Sequence, residues 1–482
     1  MTLIVVPPLG DPTAHVVVDA GERLVDLNQR FARRAGNPQT LRALAARLDR
    51  PGPSAGGPLP DAQRCLLALA AADALSGPVP TITRLRALGA AIRALSDDDA
   101  GLTAALDDIT LRSGSTQSSG QTMLAAARST LFDPELSDPE LARPGAGPVE
   151  IVVDTDQQLP AAFRLVSRQD RPADLVLSGR FVAAHRKALC RVAALSGVRW
   201  STRVRPRTVR TEYLPAGSAP THWVTRAGEI PGTGPWAGWL EASAVQTVSA
   251  RPDHWDRCTG LVVSAAGPDD LAGCTPALLQ LAGRAPVALE VLVGGPAVLP
   301  VGPEDAWWGP WQPHLRLAGF RPYRRPVGPG RGAPGDDLAR WAGPARPPGD
   351  GGGAAAALAL AWAAAGHDLF PGRVAGALFT TLPPAQRSSR QAGPEAGYEV
   401  DSAVRCVRLD AASPDGRGSG DFLVDLRTGR LSRVGRPLAE LVRRLGREGL
   451  DPTILAALDR SSDDRVLTGL CRAGVLRREQ AA

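Results

Sequence analysis

The stretch that most constrains this chain is residues 151–186, IVVDTDQQLPAAFRLVSRQDRPADLVLSGRFVAAHR. The apolar run Ile151-Val152-Val153 stops at the polar Asp154-Thr155-Asp156-Gln157-Gln158, and Pro160 follows where a first helical turn tolerates it. Leu159, Phe163 and Val166 recur at helical spacing before a second apolar run, Leu175-Val176-Leu177, ends at Ser178-Gly179. Strand, helix and strand in this order demand a parallel pair, so the chain is expected to be α/β around a parallel sheet. Ligands of such sheets sit outside the carboxyl ends of the strands, here beside Thr155–Gln158 and Ser178–Phe181.

The 482 residues leave room for about two to four domains. Gly and Pro are abundant (52 and 44) and Lys187 is the only lysine, the usage of a GC-rich genome. Arginine therefore stands in for lysine generally, and the net charge of +6 is no nucleic-acid footprint. No apolar run reaches membrane-spanning length; Ala354–Ala365 is short and reads as a buried helix. The start, MTLIVVPPLGDP, lacks the basic residues of a signal peptide, and six widely spaced cysteines read as free thiols, so a cytoplasmic location is expected.

Along the chain, Leu3–Val6 reads as a buried strand entering the turn Pro7-Pro8-Leu9-Gly10. Residues 51–60 read as a linker and 61–131 as a helical insertion. A strand is expected over 197–204, irregular chain over 205–240, then strand 259–264, helix 268–283 and strand 287–293. All ten tryptophans fall between Trp200 and Trp362, more simply as core than as a ligand groove. FLVDLRTGRLSRVG, from Phe422, reads as two strands joined around Thr428-Gly429, with helices at 437–447 and 452–459 after them. The expected division is 1–186, a Rossmann-like parallel-sheet domain carrying the insertion; 187–325, a partial (β/α) barrel-like domain; 326–398, a linker with an alanine-rich helix; and 399–482, a small winged-helix-like domain.

Few motifs announce a chemistry. No phosphate-binding loop, nucleophile elbow or HExxH is present. Ser96-Asp97-Asp98-Asp99 reads as a solvated helix end. Cys258 and Cys274 are too far apart to make a metal site with His254 the favoured reading. Arg203, Arg205, Arg207 and Arg210 form the one basic cluster, a solvent face or a contact for an acidic peptide.

VVPPLG near the start, DLNQRFARR at 26–34, TDQQLPAAFRLVSR at 155–168 and LVLSGRFVAAHR at 175–186 resemble the cobalamin-binding domain of the radical SAM maturases of ribosomally made peptides. GVRWSTRVRP at 197–206, CTGLVVSAAGPDDL at 258–271 and LEVLVGGPAVLPVGPED at 289–305 resemble the second half of their barrel. The segment from FLVDLRTGRLSRVG onward is similar to the PqqD-like peptide-binding winged-helix module often fused to them. The resemblance implies a possible cobalamin site lined by Thr155, Asp156, Gln157, Gln158, Ser178, Gly179 and Arg180. It also implies a leader-peptide site at Phe422, Leu423, Val424, Asp425 and Leu426, with Arg203 and Arg205 as further contacts. The chain departs from the family in lacking C-x3-C-x2-C, the thiolate set of a four-iron cluster, and the D-x-H-x-x-G cobalt-ligand motif. No iron–sulfur cluster and no catalytic or metal residue is therefore expected. The implied role is a non-catalytic partner, a pseudoenzyme that binds a precursor peptide and a radical SAM enzyme or another subunit of a maturation complex. The alternatives are a divergent cobalamin-dependent peptide methyltransferase and a structural subunit with no peptide ligand.

Overall fold

The computed structural model describes residues 1–49, 60–79, 81–104, 106, 109–112, 119–142, 147–168, 174–210, 219–224, 226–265, 273–282, 285, 287–294, 316–323, 398–401, 403–409, 420–426, 430–448, 470 and 475–478. The linker expected over 326–398 and the helix at 452–459 lie outside the described residues, apart from 398 itself. In chain order the elements are β1 (Thr2–Val6), β2 (Ala14–Val16), β3 (Glu22–Asp26), α1 (Leu27–Ala35), α2 (Pro38–Leu48), α3 (Asp61–Leu75), α4 (Thr81–Ser96), β4 (Leu102–Ala104), β5 (Ile109–Leu111), α5 (Ser119–Arg128), α6 (Asp133–Leu136) and α7 (Pro139–Ala142). They continue with β6 (Val149–Val152), α8 (Leu159–Ser167), β7 (Leu175–Ser178), α9 (Arg180–Leu189), β8 (Arg199–Trp200), β9 (Arg207–Val209), β10 (His222–Val224), β11 (Trp236–Glu241), α10 (Ala242–Ser249) and α11 (Pro252–Trp255). Last come β12 (Cys258–Ala265), α12 (Thr275–Ala282), β13 (Val287–Gly294), β14 (Arg316–Tyr323), β15 (Tyr398–Val400), β16 (Val404–Leu409), β17 (Gly420–Asp425), β18 (Arg430–Val434), α13 (Arg436–Glu448) and β19 (Leu476–Arg478).

The protein is mixed α/β and divides into two units, residues 1–34 with 98–375 and residues 35–97 with 376–482. The first unit contains a five-stranded, all-parallel sheet in the order β3-β1-β6-β7-β8. The expected strand–helix–strand unit is β6–α8–β7, with Pro160 in the first turn of α8. Sheet order reverses between β1 and β6, so the loops after these two strands flank a switch-point crevice.

The two faces of this sheet differ. Leu3, Val5, Val25, Ile151 and Leu177 are buried on one face. The other carries Ile4, Val6, Leu24 and Val152, which pack with Val16 and Val18 around β2. Glu22, Asp26 and Glu150 lie on that face too, since the register pairs Glu22 with Thr2, Asp26 with Val6, and Glu150 with Ile4. What covers it is β2 together with the arginine-bearing segment 203–210, whose end, β9, pairs antiparallel with β2.

A second, seven-stranded sheet has the order β14-β13-β12-β11-β10-β9-β2, with β10 to β14 successive and parallel. Residues 205–240, read as irregular, thus supply β9, β10 and β11; the first two are three residues long and β11 is interrupted by Gly238, too short or too broken for periodicity to show. Gly238 is required there, because a Cβ would stand 2.4 Å from the Val224 carbonyl oxygen. Trp236 and Trp255 belong to this unit's core, and the Trp236 indole donates to the His254 carbonyl at 2.8 Å.

In the second unit, α2, α3 and α4 share a core with one face of the antiparallel sheet β16-β17-β18, and α13 packs on the other face. The helices of residues 61–96 are therefore partners of the C-terminal sheet. The helical pattern read through to 131 gives way to the hairpin β4–β5, whose Leu102, Ile109 and Leu111 alternate on one buried side. Nor is the acidic run solvated. Asp97 is buried near Arg64, and the buried Asp99 carboxylate accepts from the amides of Gly101, Leu102, Thr130 and Leu131 and from the Ser129 hydroxyl.

Candidate functional site

The loops at the carboxyl edge of the parallel sheet hold most of the residues singled out from the sequence. Gln158 bridges the crevice: its Oε1 accepts from the Asp154 amide at 2.7 Å and its Nε2 donates to the Pro7 carbonyl at 2.8 Å. Gly10 lies close opposite it: a Cβ there would come within 2.8 Å of Gln158 Nε2, so the amide end would have to shift. The preceding Leu9 has φ 66, left-handed backbone that a leucine adopts only under strain. Thr155, Gln157 and Gln158 are buried, and Asp156 belongs to the same short turn.

Ser178 and Gly179 close the neighbouring loop. The Ser178 hydroxyl donates to Glu150 Oε1 at 2.5 Å. Gly179 has φ +105, and a Cβ would meet the Val153 carbonyl oxygen at 2.4 Å, so only glycine serves. The Arg180 amide donates to Asp154 Oδ1 at 2.8 Å, while its guanidinium grips Glu229 through two hydrogen bonds of 2.9 and 2.8 Å.

The basic cluster is committed inside the molecule. The Arg205 side chain is 1% exposed and donates to both Glu22 (2.7 and 2.8 Å) and Glu150 (2.9 and 2.6 Å). Those hydrogen bonds hold the Glu22 carboxyl down at about 2 and push Arg205 upward. Burial opposes the charge of Glu150, yet the bonds from Arg205 and Ser178 leave its pKa lowered. Arg203 pairs with Asp19 at 2.6 Å near the surface, and Arg210 joins Asp26 (2.8 Å) and the Pro12 carbonyl (3.1 Å). Arg205 is thus unavailable as a peptide contact, because it is buried and all three of its guanidinium nitrogens are engaged by Glu22 and Glu150.

Arg207 behaves differently. It pairs with Asp154, but burial lowers its pKa to about 10 despite the nearby Asp11, Asp26 and Glu229. Asp11 Oδ1 accepts from the Thr13 amide (2.8 Å) and hydroxyl (2.6 Å), whereas Oδ2 is buried with no hydrogen-bond partner. Burial raises the Asp11 pKa against the lowering pull of Thr13, Arg207 and Arg180. Asp11, Glu22, Asp26, Glu150 and Glu229 are not among the site residues read from the sequence, and Asp154 is read there only as the end of an apolar run. The available signal was an acid inside otherwise apolar strands, as in the VEIV of β6.

The predicted peptide residues lie elsewhere. Phe422, Leu423, Val424 and Asp425 belong to β17, which is flanked by β16 and β18, and Leu426 follows it. Leu423 packs toward α13 while Val424 and Leu426 pack toward α3, so these side chains are core on both sheet faces. β17, the first half of the strand pair at 421–434, therefore has both of its edges paired. Among the described residues, β18 pairs with β17 alone, and its Ser432 and Arg433 are exposed.

Among the described residues no three His, Cys, Asp or Glu side chains are grouped to hold a metal, and no helix is long and apolar enough to cross a membrane. The corrinoid implied by the resemblance does not fit the residues present, since the Gln158 amide crosses the crevice from Asp154 to Pro7 and the Arg180 amide is taken up by Asp154. Comparison with family models, curated proteins and solved structures found no match. Fold and site define an α/β protein whose parallel sheet is roofed on one face by an arginine strap.

Proposed function

We propose that the protein is a non-catalytic partner in the maturation of a ribosomally made peptide, binding the precursor's leader segment and presenting it to a radical SAM enzyme of the same complex. The observation that carries this reading is the β18 edge. The sheet to which it belongs is apolar and covered on both faces, which leaves main-chain pairing at an edge as its route to a ligand. An extended peptide laid along Arg430–Val434 would take main-chain hydrogen bonds there, and the exposed Arg433 and Arg436 suit an acidic segment. The Rossmann-like, half-barrel and winged-helix-like identities of the three sheets belong to the same proposal. They are supported by the order β3-β1-β6-β7-β8, by the successive parallel strands β10–β14, and by the three-stranded antiparallel sheet beside α13.

The test is titration of the precursor peptide against the full chain and against Ser432→Pro and Arg433→Pro. Successive amides alternate in direction along a strand, so one of these prolines removes an outward donor and leaves the β17 ladder intact. That variant is expected to weaken binding by about tenfold or more. Wild-type affinity in both variants would exclude the edge, and failure of the wild-type chain to bind the precursor would exclude the role.

A further inference from the structure

We propose that Asp11 and Asp154 compete for the Arg207 guanidinium and so form a proton-operated latch on the crevice between β1 and β6. The proposal does not depend on the peptide-binding reading, because it concerns the other unit of the chain.

The groups facing Asp11 come from four places. Thr13 in its own loop holds Oδ1, Asn28 on α1 donates to its carbonyl at 3.0 Å, and Arg207 on β9 and Arg180 at the start of α9 act on it electrostatically. Behind these, Arg180 is paired with Glu229, Arg207 with Asp154 and Arg210 with Asp26. Each of these guanidinium groups thus has a carboxylate as its ion-pair partner, whereas Asp11 has no ion pair among the described residues, and the Oδ2 atoms of both Asp11 and Asp154 are buried without a hydrogen-bond partner. A carboxyl oxygen buried without a partner is tolerated as the neutral acid and is costly as the anion.

When Asp11 loses its proton, the cation that acts on it most strongly is the already desolvated Arg207. Drawing that guanidinium toward Asp11 weakens its hold on Asp154. Asp154 anchors two loops, through the amide that Gln158 accepts from and through the Oδ1 that accepts from the Arg180 amide. Its release loosens the Gln158 bridge to Pro7 and thereby the crevice mouth. The strained Leu9 and the close fit of Gly10 on Gln158 put the mobile side of the latch in the β1 loop. One proton leaves Asp11 for solvent on opening and returns on closing, so the step balances.

Amide hydrogen exchange on the full chain tests this. Protection of the Asp154 and Thr155 amides, corrected for intrinsic exchange chemistry, is compared on the acid and the alkaline side of the Asp11 midpoint, located by carboxyl carbon-13 titration of the same chain. The wild type is expected to lose about tenfold or more of that protection at the higher pH, while Asp11→Asn, a stand-in for the protonated acid, keeps it at both. Asp154→Asn is expected to show weak protection at both. Wild-type protection that does not change with pH overturns the latch without any variant being needed, as does Asp11→Asn following the wild type.

Discussion

Arg205 and Arg207 stand two residues apart on one segment, yet one is an anchor and the other is poised. Arg205 faces two carboxylates with all three of its guanidinium nitrogens, which drives Glu22 down to about 2 and raises its own pKa. Arg207 is pulled down to about 10 by burial, beside an acid whose Oδ2 has no partner. The difference lies less in the arginines than in how completely each site is hydrogen-bonded. A buried charge with every donor satisfied fixes a fold, and one short of a partner is free to respond.

Substitutions at the two sites separate these roles. Arg205→Met removes the one guanidinium that hydrogen-bonds Glu150 and leaves Glu22 only the longer pair with Arg203, at 3.9 Å, and is expected to cost about 3–5 kcal/mol in chemical denaturation. Arg207→Met strands Asp154 but removes a guanidinium that burial already disfavours, so a smaller loss of about 1–3 kcal/mol is expected. A loss equal to that of Arg205→Met would erase the distinction.

The pH dependence carries opposite signs at the two sites. Glu22 has a folded pKa of about 2 against an ordinary 4.5, so its contribution is complete above about 4.5 and is lost as pH falls toward 2. Glu22→Gln should flatten that acid limb of the stability curve. Asp11 is raised above its ordinary 3.8, so the unfolded chain releases this proton first and stability falls as pH rises through the folded midpoint. Asp11→Asn should match the wild type below the ordinary aspartate range and exceed it at neutral pH.

The same contrast marks what the sequence made legible. The β6–α8–β7 unit could be read because an apolar run, a first-turn proline and helical spacing are local signals. The arginine strap could not, since its partners lie up to 198 residues away and Glu150, the acid inside β6, looks like a break in an apolar strand. Phe422–Leu426 were recognised as strand, but which strand of a sheet is interior depends on β16, which the local pattern does not pair with it. The helices of 61–96 read as an insertion because their partner sheet begins more than three hundred residues later, at Val404.

The most direct measurement is a carboxyl carbon-13 titration of the full chain, following Asp11 and Glu22 together. The account predicts a midpoint for Glu22 near 2 and one for Asp11 above 3.8. Both groups titrating in the ordinary carboxylate range would contradict it, because the anchored and the poised sites would then be electrostatically alike.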